Sequence, residues 1–292
     1  MQITILSVED TWRGSHYFDK GFAGGLQCMK HTVSVRTMAS YVDERPSLII
    51  ARPNGHVPET VQFLRTVKKP GRKIGVWVTG DTTVSEIKAL APVVDFGLTA
   101  WRLKAVKPLM KFPILEVPPA SDIPRFRMLR KPEQWDVGFI GCRTPDKARL
   151  REWVEPVLRG HSHRVVGHGW FEDGFRISEG SALDLALRSR VCLNIHDSVS
   201  PGSPPNQRLF QLVAWGRIQV VDEHPRLKEF FSEDEIPAVS TPSEYAQAVK
   251  YALSEDGRED LAARAKNARK RAKAEHSFSS RARRFLEWLE TL

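Results

Sequence analysis

The sequence has few cysteines, and Cys28, Cys142 and Cys192 are odd in number and far apart. That excludes a disulfide framework and any CxxC-type zinc pair, and it fits a reducing compartment, so a cytoplasmic location is expected. Cys142 and Cys192 lie in or beside apolar runs, where a small buried side chain is the expected role. No run of about 18 apolar residues occurs, so a membrane-spanning helix is not expected. The opening MQITIL has neither a basic segment nor a cleavage site and is expected to form a first strand, not a signal peptide. No GxGxxG follows that strand, and no Walker loop or GxSxG elbow occurs, which argues against dehydrogenase, NTPase and hydrolase chemistry. His161, His163, His168, His196 and His276 lack zinc-ligand spacing, so no metal site is expected.

Positive charge, by contrast, is abundant: 44 Lys and Arg against 35 Asp and Glu give a net charge of +9. The excess concentrates between residues 102 and 131. There Arg102, Lys104, Lys107, Lys111, Arg125, Arg127, Arg130 and Lys131 meet only Glu116 and Asp122. Such a field favours anionic ligands, with Lys104, Lys107, Arg127 and Arg130 as candidate contacts for an acceptor or polyanion. A solvated surface is the plain alternative.

Hydrophobic periodicity gives alternating elements. Strands are expected at 2–8, 33–38, 47–51, 73–79, 93–98 and 114–117, with a loop around Gly14 and Ser15 and helices at 18–30 and 58–67. Prolines at 118, 119, 124 and 132 break the chain, so 118–135 reads as a linker between a first domain (1–117) and a second (136–275). The second domain is expected to hold strands 137–141, 163–167, 191–195 and 217–222. Its expected helices are 146–159, 180–189, 207–215, 243–253 and 256–275, and a last helix follows at 278–291. Short apolar strands separated by helices imply βαβ crossovers and parallel sheets. Ligands of such sheets bind at the strands' carboxyl ends, here expected in a cleft between the domains.

Candidate site residues follow from that placement. In PPNQRLFQ, Asn206 is a good N-cap, and Gly216 suits the position after the helix. The free N–H groups of such a helix end, with Arg208 beside them, make an anion site. Gly141 ends a strand and allows close backbone approach, with Arg143 just beyond. Trp170, after the next strand, either stacks on a base or packs. Asp81 follows the strand KIGVWVT and is either a catalytic or acceptor-binding carboxylate or a helix cap.

Several segments carry a family resemblance: FPILEVPPASDIPRF from Phe112, WDVGFIG, VCLNIHDS, NQRLFQLVAWGRIQVVD, and the closing helices from EYAQAVKYAL. Together they resemble the CgeB-like (spore maturation type) glycosyltransferases. The resemblance implies an α/β fold of two Rossmann-like domains facing across a cleft (GT-B), with the final helix, 276–292, returning to the first domain. It also implies a retaining, metal-independent transfer from a nucleotide diphosphate sugar of UDP or GDP type, with no cofactor. In the family's Asn-x-Arg-x-Phe-Glu segment the arginine faces the diphosphate and the acid faces the ribose. Asn206, Arg208 and Phe210 match, whereas Gln211 replaces the acid. The donor set is thus Gly141, Arg143, Trp170, His196 (from VCLNIHDS), Asn206, Arg208 and Gln211, with Arg208 and Asp81 as catalytic candidates. The acceptor is left open. Two alternatives stand beside this: a DNA-modifying transferase acting on a flipped modified base through the 102–131 patch, and a non-catalytic nucleotide or nucleic-acid binding module.

Overall fold

The computed structural model describes residues 1–7, 14–53, 56–78, 82–122, 131–143, 148–167, 169–170, 179–197 and 199–292. Asp81, Arg127 and Arg130 therefore lie outside the described residues. In chain order the elements are β1 (Gln2–Ser7), α1 (Gly14–Gln27), β2 (Thr32–Thr37), β3 (Leu48–Ala51), α2 (Val57–Val67), β4 (Lys73–Val78), α3 (Val84–Leu90), β5 (Phe96–Thr99), α4 (Leu103–Val106) and β6 (Ile114–Glu116). There follow β7 (Trp135–Ile140), α5 (Ala148–Trp153), α6 (Glu155–Gly160), β8 (His163–Val166), α7 (Glu179–Arg188), β9 (Ser189–Asn194), α8 (Gln207–Ala214) and β10 (Gln219–Asp222). The chain closes with β11 (Ala238–Val239), α9 (Pro242–Leu253), α10 (Glu255–Glu275) and α11 (Phe278–Leu289).

The chain divides into two compact units. The first comprises Met1–Ala120, Gly202–Pro204 and Ser277–Leu292, and the second Ser121–Pro201 and Pro205–His276. In the first, six parallel strands run in the order β2-β1-β3-β4-β5-β6. Side chains alternate between faces with the strand period of two. Ile3, Ile5, Ile50, Trp77 and Phe96 pack with Phe22 and Leu26 of α1 and with Phe278, Ala282 and Phe285 of α11. Leu6, Ile49, Ile74, Val76 and Val78 pack instead with Val61 and Leu64 of α2 and Ile87 and Leu90 of α3. Arg281 of α11 donates to the carbonyls of Pro118 and Pro119 at 3.2 and 3.4 Å.

The second unit has five parallel strands in the order β11-β10-β9-β7-β8. Val137, Phe139, Val191, Leu193 and Val220 meet Trp153, Val157, Tyr245 and Val249 on one face. Ile140, Leu185, Cys192, Leu212 and Trp215 form a layer with α7 and α8. Each buried Val, Leu or Phe contributes about 1.5–3 kcal/mol of burial, and these continuous apolar strands are what a sheet covered on both faces requires.

Several details depart from the sequence reading, which has no counterpart for α4 or for the short β11. Helix α1 begins at Gly14, where a loop was expected; packing of Phe22, Ala23 and Leu26 in the core outweighs the poor intrinsic helicity of glycine. The single helix expected over 146–159 is two, because Pro156 at the start of α6 has no N–H to continue α5. Helix α3, for which Asp81 is a candidate cap in the sequence reading, is capped by Thr83, which forms a capping box with Glu86. The cationic run 102–131 is also divided. Lys104, Lys107 and Lys111 are exposed in the first unit, whereas Lys131 belongs to the second and pairs with Asp184.

Candidate functional site

Because the strands of the second unit are parallel, the ends of β7, β9 and β10 fall on one edge, with Gly138 beside Cys192 and Asn194 beside Val221. Most of the candidate residues gather there. Asn206 caps α8: its Oδ1 accepts from Leu209 N at 2.9 Å. Its Nδ2 donates to Asn194 Oδ1 and to the Ile195 carbonyl, both at 2.9 Å. The cap therefore ties the helix start to the end of β9. Gly216 takes φ +64 just past the helix, a conformation that favours glycine.

Arg208 lies in the first turn of α8. Its guanidinium stacks over the Phe139 ring, 5.1 Å from the centroid, and Nη1 donates to Asn194 Oδ1 at 3.4 Å. Among the described residues it forms no ion pair, and its buried Nε has no hydrogen-bond acceptor. Burial lowers its pKa from the ordinary value, and the charge of Asp197 opposes that shift; an arginine remains protonated nonetheless. The neighbouring strand end leaves it room: a Cβ added at Gly141 would stand 2.9 Å from Arg208 Nη2.

The loop after β8 folds against the same place. A Cβ at Gly167 would meet the Gly141 carbonyl oxygen at 1.7 Å, so only glycine allows that approach. Trp170 donates from Nε1 to the Gly141 carbonyl at 2.8 Å and meets Phe139 edge-on with centroids 5.7 Å apart. Its ring thus packs within the unit. Arg143 pairs with Glu155 at 3.0 Å, with its guanidinium 5.8 Å from the Trp170 ring. Gln211 follows Arg208 by three residues on α8, which puts both on one helix face. Its side-chain amide makes no hydrogen bond among the described residues.

Behind this edge sits a buried polar cluster that the sequence did not reveal. His196, 1% exposed, is held to fully buried Asp222 through both its main-chain N–H and ring Nδ1, and Arg149 donates to the other carboxylate oxygen at 2.6 Å. The His224 ring packs 4.7 Å from that of His196. His224 Nδ1 accepts from Arg226 N at 3.2 Å. Burial pushes the His224 pKa down to about 4. Tyr245 donates to the Asn194 carbonyl at 3.1 Å, and burial raises its pKa. The only available signal was position: Asn194 and Asp222 end neighbouring strands.

In the first unit, Lys104 and Lys107 are exposed at α4 and the turn that follows it. Among the described residues no three His, Cys, Asp or Glu side chains group as metal ligands, and no helix is long and apolar enough to cross a membrane.

Two Rossmann-like units, each a parallel sheet with helices, are the architecture of the GT-B fold. Residues 143–287 match the family model described as Glycosyl transferase-like, and by fold and by that domain the chain is a glycosyltransferase in class. The Anabaena protein HepE, solved with UDP-glucose, superimposes with a TM-score of 0.68 at 11% identity, covering 100% of both chains. The DNA-modifying enzyme β-glucosyltransferase, solved with and without uridine diphosphoglucose, gives 0.65 at 12% identity over 98% of this chain and 99% of its own. Sucrose-phosphate synthase of Thermosynechococcus elongatus gives 0.67 at 10% identity over 99% and 98%. No curated protein matches the chain by sequence.

Proposed function

We propose that the chain transfers a sugar from a nucleotide diphosphate sugar, that the second unit holds this donor, and that Arg208 with the α8 N-terminus receives the leaving diphosphate. The observation that carries the proposal is the state of Arg208, half-buried, with its Nε out of solvent and no carboxylate paired to it among the described residues. A phosphate satisfies such a guanidinium with two oxygens in its plane, and the free N–H groups of α8 add to it. As the bond between sugar and diphosphate breaks, negative charge grows on the phosphate oxygens. Donors already in place stabilise that charge without reorganising. This cationic arrangement supports transfer without a metal ion. Gln211, on the Arg208 face, is assigned to a ribose hydroxyl, and Gly141 to close passage of the ligand. Asp81, which follows β4 in sequence, is assigned to the acceptor side.

UDP-sugars are the first donors to test, since HepE and the β-glucosyltransferase were solved with UDP-glucose. The resemblance to CgeB-like enzymes further implies retention of anomeric configuration, which proton NMR of the first-formed product reads. The test of the proposal is release of nucleoside diphosphate from UDP-glucose, UDP-N-acetylglucosamine and GDP-mannose. Turnover of one of them that disappears in Arg208→Ala supports it. Binding without turnover leaves a non-catalytic module, and neither binding nor turnover contradicts the proposal.

A second reading concerns the acceptor. The net charge of +9 and the exposed Lys104, Lys107 and Lys111 favour a polyanion. One structural neighbour is a DNA-modifying enzyme.

A further inference from the structure

A partly buried arginine is commonly fixed by a carboxylate, which cancels its charge. Arg208 is fixed differently. Its hydrogen-bond anchor is the neutral carboxamide of Asn194, which is fully buried, and its flat face rests on the Phe139 ring. A carboxamide oxygen holds a guanidinium by dipole alone, so Arg208 is anchored without a hydrogen-bonded carboxylate to neutralise it, and Asp197 acts on it only through its field.

The same oxygen accepts from Asn206, the cap of α8, so one atom sets both the arginine and the helix end. The orientation of that amide is fixed in turn. Asn194 Nδ2 donates to Gln219 Oε1 at 3.2 Å, and Gln219 Nε2 donates to the Leu209 carbonyl at 3.4 Å. Leu209 N donates to Asn206 Oδ1, which returns the chain of bonds to its start. This ring of amides on β9, β10 and α8 leaves no freedom for the Asn194 amide to turn its NH2 toward Arg208.

We infer that Asn194 is a positioning residue of the diphosphate site, holding Arg208 in place while leaving its charge uncancelled for the phosphates. The inference rests on the donor reading above. Its chemistry makes an unusual ranking. Asn194→Asp is nearly isosteric and gives Arg208 a buried carboxylate to pair with, so it should keep the fold but neutralise the site. Asn194→Ala loses the anchor but leaves the charge.

The experiment is calorimetric titration of the full chain with UDP, GDP and ADP, with melting temperature measured in parallel. For the nucleoside diphosphate that binds the wild type, Asn194→Asp should weaken affinity at least thirtyfold and Asn194→Ala about fivefold to tenfold. The alanine variant should nevertheless melt lower than the aspartate variant. A purely structural role gives the opposite order, with affinity following stability, and that result overturns the inference, as does wild-type affinity in Asn194→Asp. Should Asn194→Asp not fold, unchanged affinity in folded Asn194→Ala overturns the inference, and a fivefold to tenfold loss there supports it. A wild type that binds none of the three, or whose affinity survives Arg208→Ala, overturns the donor reading and the inference with it. Loss in Arg208→Ala but none at position 194 overturns the inference alone.

Discussion

Asp222 and His196 are joined twice through a single oxygen: Asp222 Oδ1 accepts the main-chain N–H of His196 at 2.9 Å and its ring Nδ1 at 2.7 Å. A carboxylate only accepts, so the ring proton sits on Nδ1. The other oxygen takes Arg149, and the whole arrangement lies at the ends of β9 and β10. Asp222→Ala leaves Arg149 without its partner and His196 without its anchor. Arg149 is 36% exposed and can turn to water, so the loss expected is about 1–3 kcal/mol, the range for leaving the buried His196 donor unsatisfied. Urea unfolding measures it, and a loss under about 1 kcal/mol would show the carboxylate to be incidental.

The neighbouring His224 makes the fold sensitive to acid. Its folded pKa is about 4, against an ordinary value of 6.5. Between those values the unfolded chain takes up a proton that the folded chain refuses. The stabilisation is therefore complete above about pH 6.5 and is lost as pH falls toward 4. After allowance for screening the effect is about 1–2 kcal/mol. The stability difference between wild type and His224→Gln should shrink or reverse across that window. A difference independent of pH would contradict the assignment.

Chelation tests the metal-free mechanism. With Arg208 and the α8 N-terminus receiving the diphosphate, turnover in excess EDTA should stay within about twofold of the untreated rate. A collapse of rate, restored by a divalent ion, would overturn this part of the account.

Much of the fold is legible because βαβ units repeat their signal locally: apolar runs such as KIGVWV and VGFI predict β4 and β7 with ends within about two residues. Helix ends were legible where capping chemistry is local, as at Asn206. What escaped detection in the polar cluster was set by contacts distant in sequence. Asp222 finds His196 across 26 residues and Arg149 across 73. Tyr245 reaches the Asn194 carbonyl across 51. No spacing announces such partners. Trp170 shows the converse case: either stacking or packing was open from sequence, and its bond to the Gly141 carbonyl accounts for its place within the unit.

The acceptor reading has its own test. Lys104, Lys107, Arg127 and Arg130 changed together to glutamine should weaken binding to duplex DNA. They should also flatten the salt dependence, whose slope is roughly −0.9 per phosphate contact. Coincident salt titrations of wild type and variant, followed with fluorescent duplex, would remove DNA as an acceptor and leave these side chains as a solvated face.

The central claim is that Arg208 at the start of α8 holds the donor diphosphate. Calorimetry of wild type and Arg208→Ala against the nucleoside diphosphate of the preferred donor tests it most directly. The account predicts a loss of about 1.5–3 kcal/mol in binding free energy, the value of hydrogen bonds to a charged group, with the folded state retained. Equal affinity in the two proteins would contradict it.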